Sequence, residues 1–257
     1  MRHSGTTQYD KGTMVTKKRA WSFAFAALVC CIALFVVGIG FGAKQRNPRN
    51  IGNNKGPLFD RVRVIPPKFG HAPVRPETVA TAKEVLRTLP PQVYNLLEKN
   101  GASINLAPNI EDNWPGSGDG ARPGATDMTM GEENGRCYGR DVWLYEAEKV
   151  RGSQELKAPR SQQQMENGLY QLLGHSINDC MGVVTNQAEL AKAYSEDIDK
   201  MSATARIFHI EEVGRTEASR AMGCSEIIGV LIGKERDTIT NDFPRTTAYL
   251  KKVLIIE

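Results

Sequence analysis

Outside its first 43 residues the chain has no surplus of either charge. Five of its 33 basic residues (Arg2, Lys11, Lys17, Lys18, Arg19) and one of its 29 acids (Asp10) lie in that N-terminal stretch, leaving 28 against 28 beyond it. Nucleic-acid binding rests largely on neutralising phosphates, so a balanced domain argues against nucleic acid as a partner. Cysteine is also scarce: there are five, and no C-x-x-C pair. The three in the balanced region, Cys137, Cys180 and Cys224, cannot all be paired internally, and they do not decide the compartment. No internal repeat is visible.

One segment lacks charge altogether. Residues 21–43 are dominated by Ala, Val, Leu, Ile and Phe, and they exceed the roughly 20 residues a helix needs to cross a bilayer. Lys17, Lys18 and Arg19 flank one side with Trp21 at the boundary, and Lys44 and Arg46 flank the other. The tight basic cluster predicts an inside N-terminus and an exported C-terminal part, as a single-pass anchor. The rival is a secretory signal cut after Gly42 or Ala43, although the apolar core is long for one. Cys30 and Cys31, inside the span, read as apolar fillers.

The expected organisation is a basic segment 1–20, the span 21–43, a linker 44–74 and one domain 75–257. Lys44, Arg46, Arg49 and Lys55 suit a tether near anionic headgroups or a plain solvated linker. Pro66, Pro67 and Pro73 mark an extended approach to the fold. A helix is predicted over 75–89 with Pro76 at its start, and Pro90-Pro91 opens another that stops at Gly101. Alternation predicts strands at 103–107 and 138–146. Residues 109–135 are crowded with Gly, Pro, Asp and Asn, as a functional loop or a disordered insertion would be. Helices follow over 165–180, 188–201, 217–234 and 246–254. Strands before a block of helices make the class α+β.

The helix over 165–180 organises the rest. Met165, Leu169, Leu172, Leu173 and Ile177 form its apolar face, and Gln171 and His175 share another face one turn apart. This has the shape of the zinc-protease helix H-E-x-x-H, with Gln171 in place of the first histidine and Leu172 in place of the glutamate. Together with LPPQVYNLLEKNGASINLA, GRCYGRDVWLYE, GCSEIIGVLIG and FPRTTAYLKKVL, the string YQLLGHSIND resembles the anthrax lethal factor-like metallopeptidases, which include the Pro-Pro endopeptidases.

The resemblance, over about 75–257, implies a zincin-like domain with a small N-terminal sheet and a helical C-terminal part. It implies metal ligands at 171, 175 and 226, a general base at 172, and a tyrosine supporting the oxyanion at 219. His175 and Glu226 match this pattern. Gln171 offers only an amide oxygen, Leu172 cannot accept a proton, and Ser219 is too short to replace a phenol. Loss of the base alone forfeits ~10²–10⁴-fold in rate.

The expectation is therefore a membrane-anchored, catalytically degenerate metallopeptidase-like domain without a cofactor. Glu226 would then hydrogen-bond His175 across the old cleft instead of sharing zinc with it. Its partner would be an extended peptide or protein, paired to an edge strand formed by Val142, Trp143, Leu144 and Tyr145. The alternatives are an active zinc peptidase using Gln171, His175 and Glu226 with a base from elsewhere, and a purely structural envelope protein. His71, His209 and Cys180 are weaker candidates as additional metal ligands.

Overall fold

A computed structural model describes residues 56–122, 128–181, 188–208, 217–234 and 236–256. The basic segment, the expected span, His209 and most of the tether lie outside the described residues. Among the described residues no helix is long and apolar enough to cross a membrane.

The fold is α+β. A 3₁₀ turn at Leu58–Arg61 leads into β1 (Val62–Val64), followed by α1 (Pro76–Thr88), α2 (Pro91–Lys99) and β2 (Ser103–Ala107). A one-turn helix α3 (Ile110–Asn113) and a 3₁₀ turn at Met130–Glu132 precede β3 (Gly135–Tyr138) and β4 (Asp141–Tyr145). The helical part is α4 (Gln162–Met181), α5 (Ala188–Lys200), α6 (Ala203–Phe208), α7 (Glu217–Ile232), α8 (Arg236–Asp242) and α9 (Pro244–Leu254).

The sheet order is β1-β2-β4-β3. Strands β1, β2 and β4 run parallel and β3 is antiparallel to β4. Parallel neighbours need a crossover, which α1 and α2 provide between β1 and β2. Period-two alternation then puts Ile104, Leu106, Val142 and Leu144 on the face that packs against Leu169, Leu172 and Leu173 of α4.

Proline and glycine set several boundaries as the sequence predicts. Pro76 and Pro91 sit in the first turns of their helices, and Gly101, at φ +72°, follows α2 in a conformation that suits glycine. Helix α9 has no side-chain cap of its own. Buried Asp197 on α5 accepts instead from the Arg245 and Thr246 N–H groups at 3.2 and 2.7 Å.

Three expectations are corrected. Residues 58–74, expected as linker, belong to the fold: Leu58 is fully buried, Arg61 is buried and bonds the Ala102 carbonyl at 3.0 Å, and β1 is a sheet strand. The single strand expected over 138–146 is the second half of a hairpin, because Gly139, at φ +63°, turns the chain between β3 and β4. Consequently Val142, Trp143, Leu144 and Tyr145 are not an edge strand. β4 is hydrogen-bonded to β2 on one side and β3 on the other, and β3 holds the edge among the described residues.

The described parts of 109–135 are pinned by buried acids. Glu111 accepts from the N–H groups of Gly116 and Gly118 at 2.6 and 2.8 Å, and Asp112 accepts from Lys68 N–H and faces His71 Nδ1. Lys149, itself buried, reaches Glu111 at 3.3 Å and Asp119 at 2.6 Å. His71 is thereby engaged at Asp112, and its Nε2 faces the Gln154 carbonyl at 2.7 Å.

Candidate functional site

The site begins with two glycines. A Cβ on Gly174 would fall 2.6 Å from the Gly229 nitrogen, and one on Gly229 would fall 2.8 Å from the Tyr170 carbonyl. Helices α4 and α7 therefore touch backbone to backbone, which only residues without a side chain allow. That approach carries Gln171 and His175, one turn apart on α4, up to Glu226 on α7. Asn178, one turn further, ties the same pair of helices by donating to Ser225 Oγ at 2.9 Å.

At the centre is one carboxylate oxygen. Glu226 Oε1 lies 2.9 Å from Gln171 Nε2 and 3.0 Å from His175 Nε2. An ionised carboxylate only accepts, so the Gln171 amide must present its nitrogen and the imidazole carries its proton on Nε2. The other end of the Gln171 amide faces Asn134 Nδ2 at 3.5 Å, a long contact. His175 and Glu226 keep 28% and 20% side-chain exposure, so the pair lines an open cleft. Asp179, one turn beyond His175, has its carboxyl raised by desolvation, with the imidazole pulling the other way.

Leu172 lines the same cleft but is only 6% exposed. It is buried in the core against β3, where a Cβ added to Gly135 would fall 2.5 Å from its Cδ1. Ser219 lies on α7 seven residues before Glu226, about 10 Å along the helix axis.

A zinc site of this kind takes three protein ligands. The cluster offers one imidazole and one carboxylate, already hydrogen-bonded to each other, and an amide whose nitrogen faces the carboxylate. Among the described residues no group of three His, Cys, Asp or Glu side chains converges to hold a metal ion. Burial pushes the Cys180 thiol above the usual range. Gln171 is the position at which the cluster departs from that donor set, a neutral amide beside an imidazole and a carboxylate.

The cleft has a volume of about 590 Å³, and β3 forms one wall opposite Gln171, His175 and Glu226. Tyr145 N–H donates to the Asn134 carbonyl at 2.9 Å. By the alternation of an antiparallel ladder, Gly135 and Cys137 therefore turn their backbone groups away from β4. Sequence reasoning missed Asn134 and the β3 edge, because both depend on where the hairpin bends.

No family profile matches the chain, and no curated protein matches it by sequence. By structure it is similar to the Pro-Pro endopeptidase PPEP-2 from Paenibacillus alvei, with a TM-score of 0.51 at 16% identity. The match covers 76% of this chain and 99% of that one. At this identity the likeness shows a shared fold.

Proposed function

We propose that this is a membrane-anchored, metallopeptidase-like domain that has lost hydrolysis and binds an extended peptide in the retained cleft. The observation that carries the reading is the pairing of Glu226 Oε1 with both Gln171 and His175. The carboxylate that the fold would offer to a metal is engaged by the Gln171 amide and the His175 imidazole. No base is available one residue on, since the Leu172 side chain has no proton acceptor.

The cleft needs no metal to hold a peptide. An extended chain laid along β3 would add a strand through the outward groups of Gly135 and Cys137, the mode by which sheet edges capture peptides. The uncharged stretch 21–43 supplies the anchor in this reading.

The test is a panel of extended, proline-containing peptides incubated with the full chain, with binding read by fluorescence anisotropy and cleavage by mass spectrometry. Binding without cleavage is expected, and N-methylation at alternate peptide residues should abolish it. Chelator-sensitive cleavage would overturn the loss of hydrolysis. Binding indifferent to N-methylation would overturn strand addition.

A further inference from the structure

On another part of the molecule, the C-terminal turn of α9 and the α1–α2 corner enclose a recess of about 690 Å³. Arg236, Lys251 and Lys252 line it beside Pro91 and Ile255, and its described lining contains no acid. Ile255 is 70% exposed and sits at φ +55°. A β-branched residue rarely adopts that conformation, and a large apolar side chain gains nothing from water, so two unfavourable features coincide at one position. The cationic surface continues past Thr88 to Phe59, where Lys83 Nζ and the Arg87 guanidinium each lie 5.1 Å from the ring. Glu84 offsets Arg87 at 3.0 Å, and Glu98 and Asp60 lie near Phe59, so the cationic surplus is centred on the recess at Arg236, Lys251 and Lys252.

Phe59 also marks where the chain enters the fold. Its N–H donates to Tyr94 Oη at 3.2 Å, and the preceding Leu58 N–H donates to Glu98 at 3.0 Å. The tether thus joins the domain on the cationic side. Residues 44–55, fully extended, reach at most about 40 Å.

We propose that this face, with Lys83, Arg236, Lys251, Lys252 and the apolar Ile255, docks on an anionic lipid bilayer. Charge complementarity selects the headgroups, Ile255 enters the interfacial layer, and the short tether keeps the face near the surface. The inference rests on the anchored reading for proximity, while the attraction itself belongs to the domain.

The test uses the full chain with vesicles of phosphatidylcholine alone or mixed with phosphatidylglycerol, scoring flotation and the acylation rate of Lys251 and Lys252 by mass spectrometry. Lys157, which pairs with Glu148 elsewhere, is the internal reference. Docking predicts acylation of Lys251 and Lys252 at least about fivefold slower on the anionic vesicles, with the difference erased by high salt. Flotation with both vesicle types but equal acylation would overturn docking and leave the anchor standing. Flotation with anionic vesicles only, with both lysines protected, would support docking and remove the anchor. Flotation with neither would overturn both.

Discussion

Gln171 and Leu172 are adjacent in sequence and both line the cleft, but Gln171 hydrogen-bonds Glu226 while Leu172 is all but buried against β3. Restoring both to the zinc-protease pattern therefore has two separable effects. In the double variant Gln171→His, Leu172→Glu, the imidazole would join His175 and Glu226 as a third donor, whereas the carboxylate would enter an apolar contact with β3. The metal-free variant should lose about 3 kcal/mol in chemical denaturation, from lost apolar burial and a poorly solvated carboxyl. Zinc should then restabilise the variant in proportion to its concentration and leave the natural chain unmoved. The spacing of Gln171, His175 and Glu226 was legible in the sequence because helical periodicity fixes which residues share a face. The pairing of His175 with Glu226 was expected as an alternative to metal and is present. The second hydrogen bond, from the Gln171 amide, was not anticipated, since it depends on how closely α7 approaches.

Elements meet at contacts that a few residues permit. Gly174→Ala would drive a methyl group into the α7 backbone at Ser225 and Gly229, and helices cannot yield there without opening the cleft. The expected cost is about 2–3 kcal/mol in thermal unfolding, with weaker peptide binding. The 3₁₀ turn at Met130–Glu132 gives a pH-dependent test. Hydrogen bonds from Arg151, and then from the Thr129 N–H, hold the Glu132 carboxyl down to about 2. A depressed carboxylate contributes stability that is complete above its unfolded pKa of about 4.3 and is lost as pH falls toward the folded value. The Thr129 amide resonance should therefore shift between about pH 4.5 and pH 2, and in Glu132→Gln it should be flat. Long amphipathic helices were readable from their apolar period. The β3–β4 hairpin was misread as one strand because only Gly139 signals its bend. That error put the peptide-binding edge on the wrong strand.

At the scale of the whole molecule, the α+β class followed from the order of strand and helix patterns, while the sheet order did not. Parallel pairing of β2 with β4 joins residues 38 apart in sequence (Ser103 with Asp141), and no local pattern encodes that choice. Residues 58–74 read as linker because prolines and charges hide a buried Leu58, an inward Arg61 and a three-residue strand. The polar stretch 109–135 read as a loop for the same reason: its order comes from acids that bind backbone N–H groups, not from apolar residues. With the Pro-Pro endopeptidase the chain shares its overall fold at 16% identity. Set against the H-E-x-x-H pattern, this chain carries an amide and an aliphatic side chain at two cleft-helix positions.

That difference is tested most directly by the zinc content of the purified full-length chain, measured by mass spectrometry after equilibration with zinc and removal of the excess. The account predicts far less than one zinc per chain, unchanged in His175→Ala. One zinc per chain, lost in that variant, would contradict it.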